Sequence, residues 1–215
     1  MVILVKASVA YFNCMKQNLT DVSLDPLLRY FNGLMPLDET EKGLVESTFH
    51  PRLYRRRQYV HQDGNICTHL NFVVRGCLRM YKVDDRGTTR IVQFAPENRW
   101  INDLGSFHSK KASTLNIDAL EDTLVLQISY EDLISLYTRA PKFDRIFRVL
   151  IEDSFVNLQQ RFLETISSIA EDRYLSFLEV YPELSNRLPQ TQIASYLGIT
   201  PEFLSRLRNK RGAKS

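Results

Sequence analysis

The segment from Gln190 to Asn209, QTQIASYLGITPEFLSRLRN, constrains the fold of this chain more than any other. It predicts two short helices that cross at close range. Ala194 supplies the small side chain such a crossing needs, and Gly198, four residues on, tolerates the left-handed backbone of a tight turn. Ile193, Leu197, Ile199, Leu204 and Leu207 fall where they can fill the space between the helices. Thr200 suits the N-cap of the second helix, and Pro201 suits its first position, where an N–H would go unbonded anyway. Glu202 adds negative charge near the positive helix end. Any helical hairpin wants Ala, Gly and apolar plugs, so the discriminating feature is the outer face. There Glu202, Ser205, Arg206, Asn209 and Lys210 project away from the plugs, with Arg208 and Arg211 beside them. In a major groove Arg pairs with guanine and Glu accepts from cytosine N4, while the remaining basic groups suit phosphates. The pattern predicts a helix-turn-helix for double-stranded DNA, with Gln190, Thr200, Pro201, Glu202, Ser205, Arg206, Arg208, Asn209, Lys210 and Arg211 at the contact.

Charge distribution agrees with that reading. From Arg187 to the C-terminus the basic residues Arg187, Arg206, Arg208, Lys210, Arg211 and Lys214 face one acid, Glu202, about +5 in all. Since the chain carries +3, the remainder is about −2. A basic tail on a near-neutral body is the electrostatic footprint of a nucleic-acid contact. A solvated tail is the plainer alternative.

Upstream, Leu24 to Phe49 reads as helical, with Leu37, Leu44, Val45 and Phe49 at helix-compatible spacing. From about Leu53 to Ile128 short alternating stretches take over: LNFVVRG, CLRMYKV, TTRIVQFA, TLNIDAL and TLVLQIS. Turn residues such as Asp63-Gly64, Arg75-Gly76 and Ala95-Pro96-Glu97-Asn98 separate them, which predicts a closed or doubled antiparallel sheet. Tyr130 opens a short helix and Pro141 suits the start of the next. From there Phe147, Ile151, Phe155, Leu158, Phe162, Ile166 and Ile169 form a sustained helical stripe. Packing on the β domain and pairing with a second copy both fit it. A further helix is expected in YLSFLEVYPEL.

The cysteines Cys14, Cys67 and Cys77 are few and widely spaced, which argues against disulfides and a thiolate metal site and for a reducing cytoplasm. The apolar start MVILVKASVAYFNC resembles a signal peptide, but Lys6 interrupts it and it is too short to span a bilayer. Initiation at Met15 and a genuine N-terminal strand are the other readings. His50, His61, His69 and His108 include no H-x-H pair, and His61, Cys67 and His69 are separated by a strand turn. No metal site is therefore expected. No G-x-S-x-G, Walker A or paired-carboxylate pattern suggests an enzyme.

The chain resembles the Crp/Fnr family of bacterial transcription regulators over nearly everything after residue 24. The order matches: leading helices, a cyclic-nucleotide-binding-type β-roll, a long dimer helix and a C-terminal helix-turn-helix. The stretch GITPEFLSRL is similar to the family pattern, with Glu202 and Arg206 at the positions that reach base edges. The resemblance implies an α+β fold divided into an extension (1–23), a sensor β-roll (24–140), a dimerisation helix (141–170) and a small all-α DNA-binding domain (171–215). It implies a homodimer on a pseudo-palindromic operator, joined through Phe147, Ile151, Phe155, Leu158 and Phe162. RNA polymerase and a small-molecule effector are further partners it implies, and a membrane is not.

Two departures qualify the likeness. Members that bind cyclic AMP open a short helix with Gly-Glu-Leu and follow it with Arg-Ser or Arg-Thr. The matching segments here are Asn102-Asp103-Leu104 and Ala112-Ser113-Thr114. Aspartate can accept from a hydroxyl, but the arginine that pairs with the cyclic phosphate is missing, leaving Lys110 and Lys111 nearby as point charges. The expected pocket, Asn102, Asp103, Leu104, Ser113 and Thr114, therefore takes an unknown effector rather than cyclic AMP, or none. Secondly, the sequence stops at Ser215, where family members usually continue into a β-hairpin wing. Fewer phosphate contacts and a shallower salt slope follow. No cofactor is expected, since the clustered cysteines of iron–sulfur relatives and a haem ligand set are both missing. The competing function is a ligand-binding β-roll module whose helix-turn-helix contacts protein.

Overall fold

The computed structural model describes residues 22–212, with the backbone alone for 211 and 212. The expectations for residues 1–21, including Cys14 and the apolar start, lie outside these residues, as do Lys214 and the side chain of Arg211.

Two helices lead, α1 (Asp25–Leu34) and α2 (Glu39–Thr48). A capping box starts α2: Asp38 accepts from the Glu41 N–H at 2.8 Å, and Glu41 accepts from the Asp38 N–H at 2.9 Å. The strands β1 (His50–Tyr54), β2 (Tyr59–His61), β3 (His69–Arg75), β4 (Leu78–Val83), β5 (Thr89–Ala95), β6 (Trp100–Ile101), β7 (Asn116–Ala119) and β8 (Thr123–Ser129) follow. They form two antiparallel four-stranded sheets ordered β1-β8-β3-β6 and β2-β7-β4-β5. This is the α+β architecture expected from the sequence. The helix α3 (Leu104–Ser109) interrupts the strands between β6 and β7.

Alternation decides which residue faces which layer. Tyr54, Val73, Leu78, Met80, Ile117 and Val125 are buried between the sheets. Their neighbours Leu70, Phe72, Leu126 and Ile128 point out of the first sheet and are buried under helices. That cover consists of α1, α2, α4 (Tyr130–Arg139) and the start of α5 (Lys142–Ser167). At its centre Phe31 meets Phe49, Trp100, Phe143 and Phe147 at ring-centroid separations of 5.8 to 6.2 Å.

The outer face of the second sheet is apolar too. Cys77, Tyr81, Ile91 and Phe94 form one buried cluster with the C-terminal helices α6 (Ala170–Val180), α7 (Leu184–Arg187), α8 (Gln190–Leu197) and α9 (Pro201–Gly212). The single helix expected in YLSFLEVYPEL is two, because Pro182 lacks the N–H that would continue α6 and the chain turns at Tyr181. Cys67 and Cys77 are both free and buried.

Two glycines carry different constraints. Gly198 has φ +68 with nothing within 4 Å of an added Cβ, whereas Gly76 has φ +95 and a Cβ there would lie 2.6 Å from Thr123 Oγ1 and 2.7 Å from the Asp122 carbonyl oxygen. Gly198→Ala should cost about 1 kcal/mol of stability, the left-handed backbone alone. Gly76→Ala adds a backbone clash and should cost on the order of 3 kcal/mol or more. Urea unfolding of both variants measures the difference.

Candidate nucleic-acid interface and sensor site

The inner face of the helix pair is closed as the spacing of its residues requires. Ile193, Ala194, Leu197 and Leu204 are buried, with Ile199 and Leu207 packed against them. Gly198 occupies the left-handed turn (φ 68), and the Ile199 N–H donates to the Ala194 carbonyl at 3.0 Å. Thr200 caps α9, its hydroxyl accepting from the Phe203 N–H at 3.2 Å.

On the opposite face Glu202, Arg206, Asn209 and Lys210 are exposed and Ser205 is half-buried; Gln190 and Thr200 are exposed, and Pro201 is half-buried. Hydrogen bonds from its own N–H at the helix start and from Thr200, with Arg206 near, hold the Glu202 carboxyl below its usual range. It is therefore an ionised, acceptor-only group at neutral pH. The Arg206 guanidinium lies over the Phe203 ring at 5.4 Å, and Phe203 is an exposed aromatic of this face that sequence reasoning passed over. Two expected phosphate ligands are engaged within the chain. Arg208 donates to the Ser185 carbonyl at 3.3 Å, and Lys210 pairs with Glu171 at 3.2 Å.

No sequence pattern signals how this unit is attached. Ser195, on α8, donates to the Thr89 carbonyl at 2.6 Å and accepts from the Ile91 N–H at 3.3 Å, so it satisfies part of the open edge of β5. Arg79 makes a two-pronged bond to Asp118 (2.7 and 2.8 Å) and reaches Gln192 of α8 at 2.5 Å. Arg187, expected to belong to the basic tail, instead binds Glu97 through two hydrogen bonds of 2.8 and 3.0 Å and also binds Glu121. Arg161, in the last two turns of α5, donates to the Val92 carbonyl and stacks on Tyr196 at 4.5 Å.

Of the expected effector residues only Asp103 and Ser113 meet, and they bind each other. Asp103 caps α3, accepting from the Ser106 N–H at 3.1 Å and from the Ser113 hydroxyl at 2.6 Å. The Ser106 hydroxyl donates to the Lys111 carbonyl at 2.6 Å and accepts from the Cys67 N–H at 2.9 Å. Leu104 packs on the aromatic core, Asn102 is half-buried and Thr114 is exposed. The Lys110 ammonium lies 3.4 Å from the centre of the Tyr130 ring, held there by cation–π attraction. His61 Nε2 is buried without a hydrogen-bond partner beside this group, and burial lowers the pKa of its imidazole against the opposing pull of Asp103 and Asp63. Among the described residues no group of three His, Cys, Asp or Glu side chains could hold a metal.

The long stripe divides. Phe147, expected at a dimer interface, is buried within its own chain, its ring 5.6 Å from both Trp100 and Tyr137. The reason is that the first turns of α5 cover the first sheet, with Phe143, Ile146 and Leu150 also buried. Beyond them the cover ends: Ile151, Phe155, Leu158 and Phe162 are 43 to 62% exposed, and Val156, Leu163, Ile166 and Ile169 continue the apolar surface.

Residues 51–140 match the model of the cyclic nucleotide-binding domain family. The β-roll has the cyclic nucleotide-binding fold. Most of the chain shares its fold with solved transcription regulators. It superposes on the c-di-GMP responsive global regulator CLP of Xanthomonas campestris (TM-score 0.65, 17% identity, 82% of this chain and 93% of that one). FixK2 of Bradyrhizobium japonicum is similar as well (TM-score 0.66, 20% identity, 77% and 85%). So is a Crp/Fnr family regulator of Eubacterium rectale (TM-score 0.64, 17% identity, 86% and 88%). No curated protein sequence matches the chain. Among the described residues no helix is long and apolar enough to cross a membrane.

The junction between the β-roll and the helix-turn-helix should be sensitive to acid. Burial raises the pKa of the Glu97 carboxyl, but the hydrogen bonds from Arg187 and the Gly76 N–H outweigh it and hold it below its usual range. A depressed carboxyl contributes to docking above its unfolded pKa, near 4.3, and loses that contribution as pH falls through the lower folded value. Hydrogen exchange at Ile91 and along α8 should therefore speed up, relative to intrinsic rates, as pH drops below about 4. Glu97→Gln should show the same loosening at neutral pH.

Proposed function

We propose that this chain is a DNA-binding transcription regulator that acts as a homodimer on a pseudo-palindromic operator and senses a small molecule other than cyclic AMP. It is a regulator and not an enzyme in this reading. The observation that carries it is the division of α9, whose apolar side is sealed by α8 while Glu202, Arg206 and Asn209 face water. A hairpin kept for packing alone has no need of an ionised carboxylate and a guanidinium one turn apart on its free side. The Crp/Fnr fold of the chain and the regulators that share it support the same reading.

A second copy is the occupant proposed for the free half of α5. Ile151, Phe155, Leu158 and Phe162 lie along one helix, and so long an exposed apolar strip is more than a soluble surface usually leaves uncovered. Two copies related by a two-fold axis would set two recognition helices about 34 Å apart, one turn of DNA. The altered pocket supports an effector other than cyclic AMP: Ser113 stands where the phosphate-pairing arginine is expected to be followed by a hydroxyl residue, and it is bound to Asp103.

Phe162→Glu should convert a dimer to a monomer in analytical ultracentrifugation and reduce duplex affinity. Base readout and backbone contact are separable by selection from a randomised duplex pool. Arg206→Ala should relax the selected consensus, at about 1–3 kcal/mol of lost discrimination, whereas Lys210→Ala should weaken all sequences alike. Identical effects from the two variants would contradict the assignment of roles. A wild-type protein that retains no duplex at low salt, with or without candidate ligands, would sink the reading.

A further inference from the structure

Among the described residues three phenylalanines are exposed. Phe155 and Phe162 belong to the free half of α5, whereas Phe203 lies in the first turn of α9 and is 38% exposed. Both its backbone and its ring are engaged in that turn. The Phe203 N–H donates to the capping Thr200 hydroxyl at 3.2 Å, and the Arg206 guanidinium lies 5.4 Å from the centre of the ring. At 3.6 residues per turn, Phe203 stands about 100° round the helix from Glu202 and about 60° from Arg206. It therefore flanks the row of Glu202 and Arg206 instead of joining the sealed side. The rest of that flank is occupied. Leu207, four residues on, packs into the cluster between the helices, and Lys210, three further, pairs with Glu171. Phe203 is the apolar side chain of this flank that the chain leaves in water.

A face that reads bases by hydrogen bonds alone has no use for a phenyl ring, which offers neither a conventional donor nor an acceptor. The major groove does present one apolar group at its base edges, the 5-methyl of thymine, and phenylalanine is among the side chains suited to it. A recognition helix contacts base edges with its N-terminal residues, and Phe203 is one of these in α9.

We propose that Phe203 is a specificity-determining residue that packs against the 5-methyl group of a thymine next to the base pair read by Arg206. This deepens the DNA-binding reading given above and rests on it. Because the Arg206 guanidinium already lies over the ring, one arrangement serves both groups. Arg206 bonds a guanine while Phe203 covers the neighbouring methyl. The gain is the removal of methyl and ring from water, and cytosine, which carries only hydrogen at C5, supplies none of it.

The test uses the full chain and a duplex recovered by selection with the wild-type protein. Each thymine of the half-site is replaced in turn by deoxyuridine, which removes the methyl and keeps every hydrogen-bonding group. Loss of the methyl that Phe203 covers should weaken wild type about fourfold per half-site, the worth of one buried carbon of this size. Phe203→Ala should be indifferent to that replacement and keep the effects of methyls elsewhere. Phe203→Gln should show the same indifference if Phe203→Ala fails to fold, and Phe203→Leu, still apolar, should retain the sensitivity. Selection with Phe203→Ala should admit cytosine at that position and still demand the guanine. A wild type insensitive to every deoxyuridine, or an unchanged sensitivity at every thymine in Phe203→Ala and Phe203→Gln, overturns this inference alone. So does a Phe203→Ala consensus that loses the guanine and keeps the thymine, since the ring would then act only by holding Arg206. A wild type that selects no duplex overturns it together with the reading on which it rests.

Discussion

The two-sheet roll is apolar on both of its outer faces, and neither face can be left to water. Leu70, Phe72, Leu126 and Ile128 line one side, Cys77, Tyr81, Ile91 and Phe94 the other, and all are buried. At about 1.5–3 kcal/mol per fully buried side chain, either set is comparable to the whole stability of a typical domain, about 5–15 kcal/mol. Helices are therefore recruited to both sides. On the first side they are neighbours in sequence, α1, α2, α4 and the start of α5. On the second they come from the far end of the chain. The helix-turn-helix unit is consequently a structural lid for the roll, besides the DNA-binding role proposed for it.

That double duty explains the polar groups at the junction. An edge strand needs its N–H and C=O groups met, and Ser195 meets two of them on β5. Arg79, Arg161 and Arg187 each bring a partner from outside their own layer. These contacts are specific in direction, unlike the apolar cluster beneath them, and so define where α8 sits. Any change that moves β5 or the turns at Glu97 and Glu121 is felt at α8 first. Helix α5 is coupled to the same place through Arg161, while its apolar residues are split between its own core and the proposed second copy.

How legible this was from the sequence differs by element. The strands in LNFVVRG, CLRMYKV, TTRIVQFA, TLNIDAL and TLVLQIS were readable because alternation and turn residues coincide. The two-residue β6 and the three-residue β2 are too short for any period to register. The helix-turn-helix was readable because Ala194, Gly198 and Thr200 each answer a local steric need. Phe147 was misassigned for a general reason: a stripe shows that a helix face is apolar, not what covers it. Arg187 looked like one more basic residue of the tail, and its partners Glu97 and Glu121 lie far upstream. Asp103 and Ser113 lie close in sequence, yet only the fold shows that they satisfy each other, and in sequence they look like free ligands for an effector.

The sequence by itself determined the class of fold, the order of its parts and the exposed polar face of α9, because these rest on local spacing, caps and alternation. Only the tertiary structure decided which polar groups remain free. Arg187, Lys210, Asp103 and Ser113 are engaged, while Glu202 and Arg206 face water. Charge and hydrogen-bonding capacity are properties of a residue, whereas availability depends on partners brought together by folding.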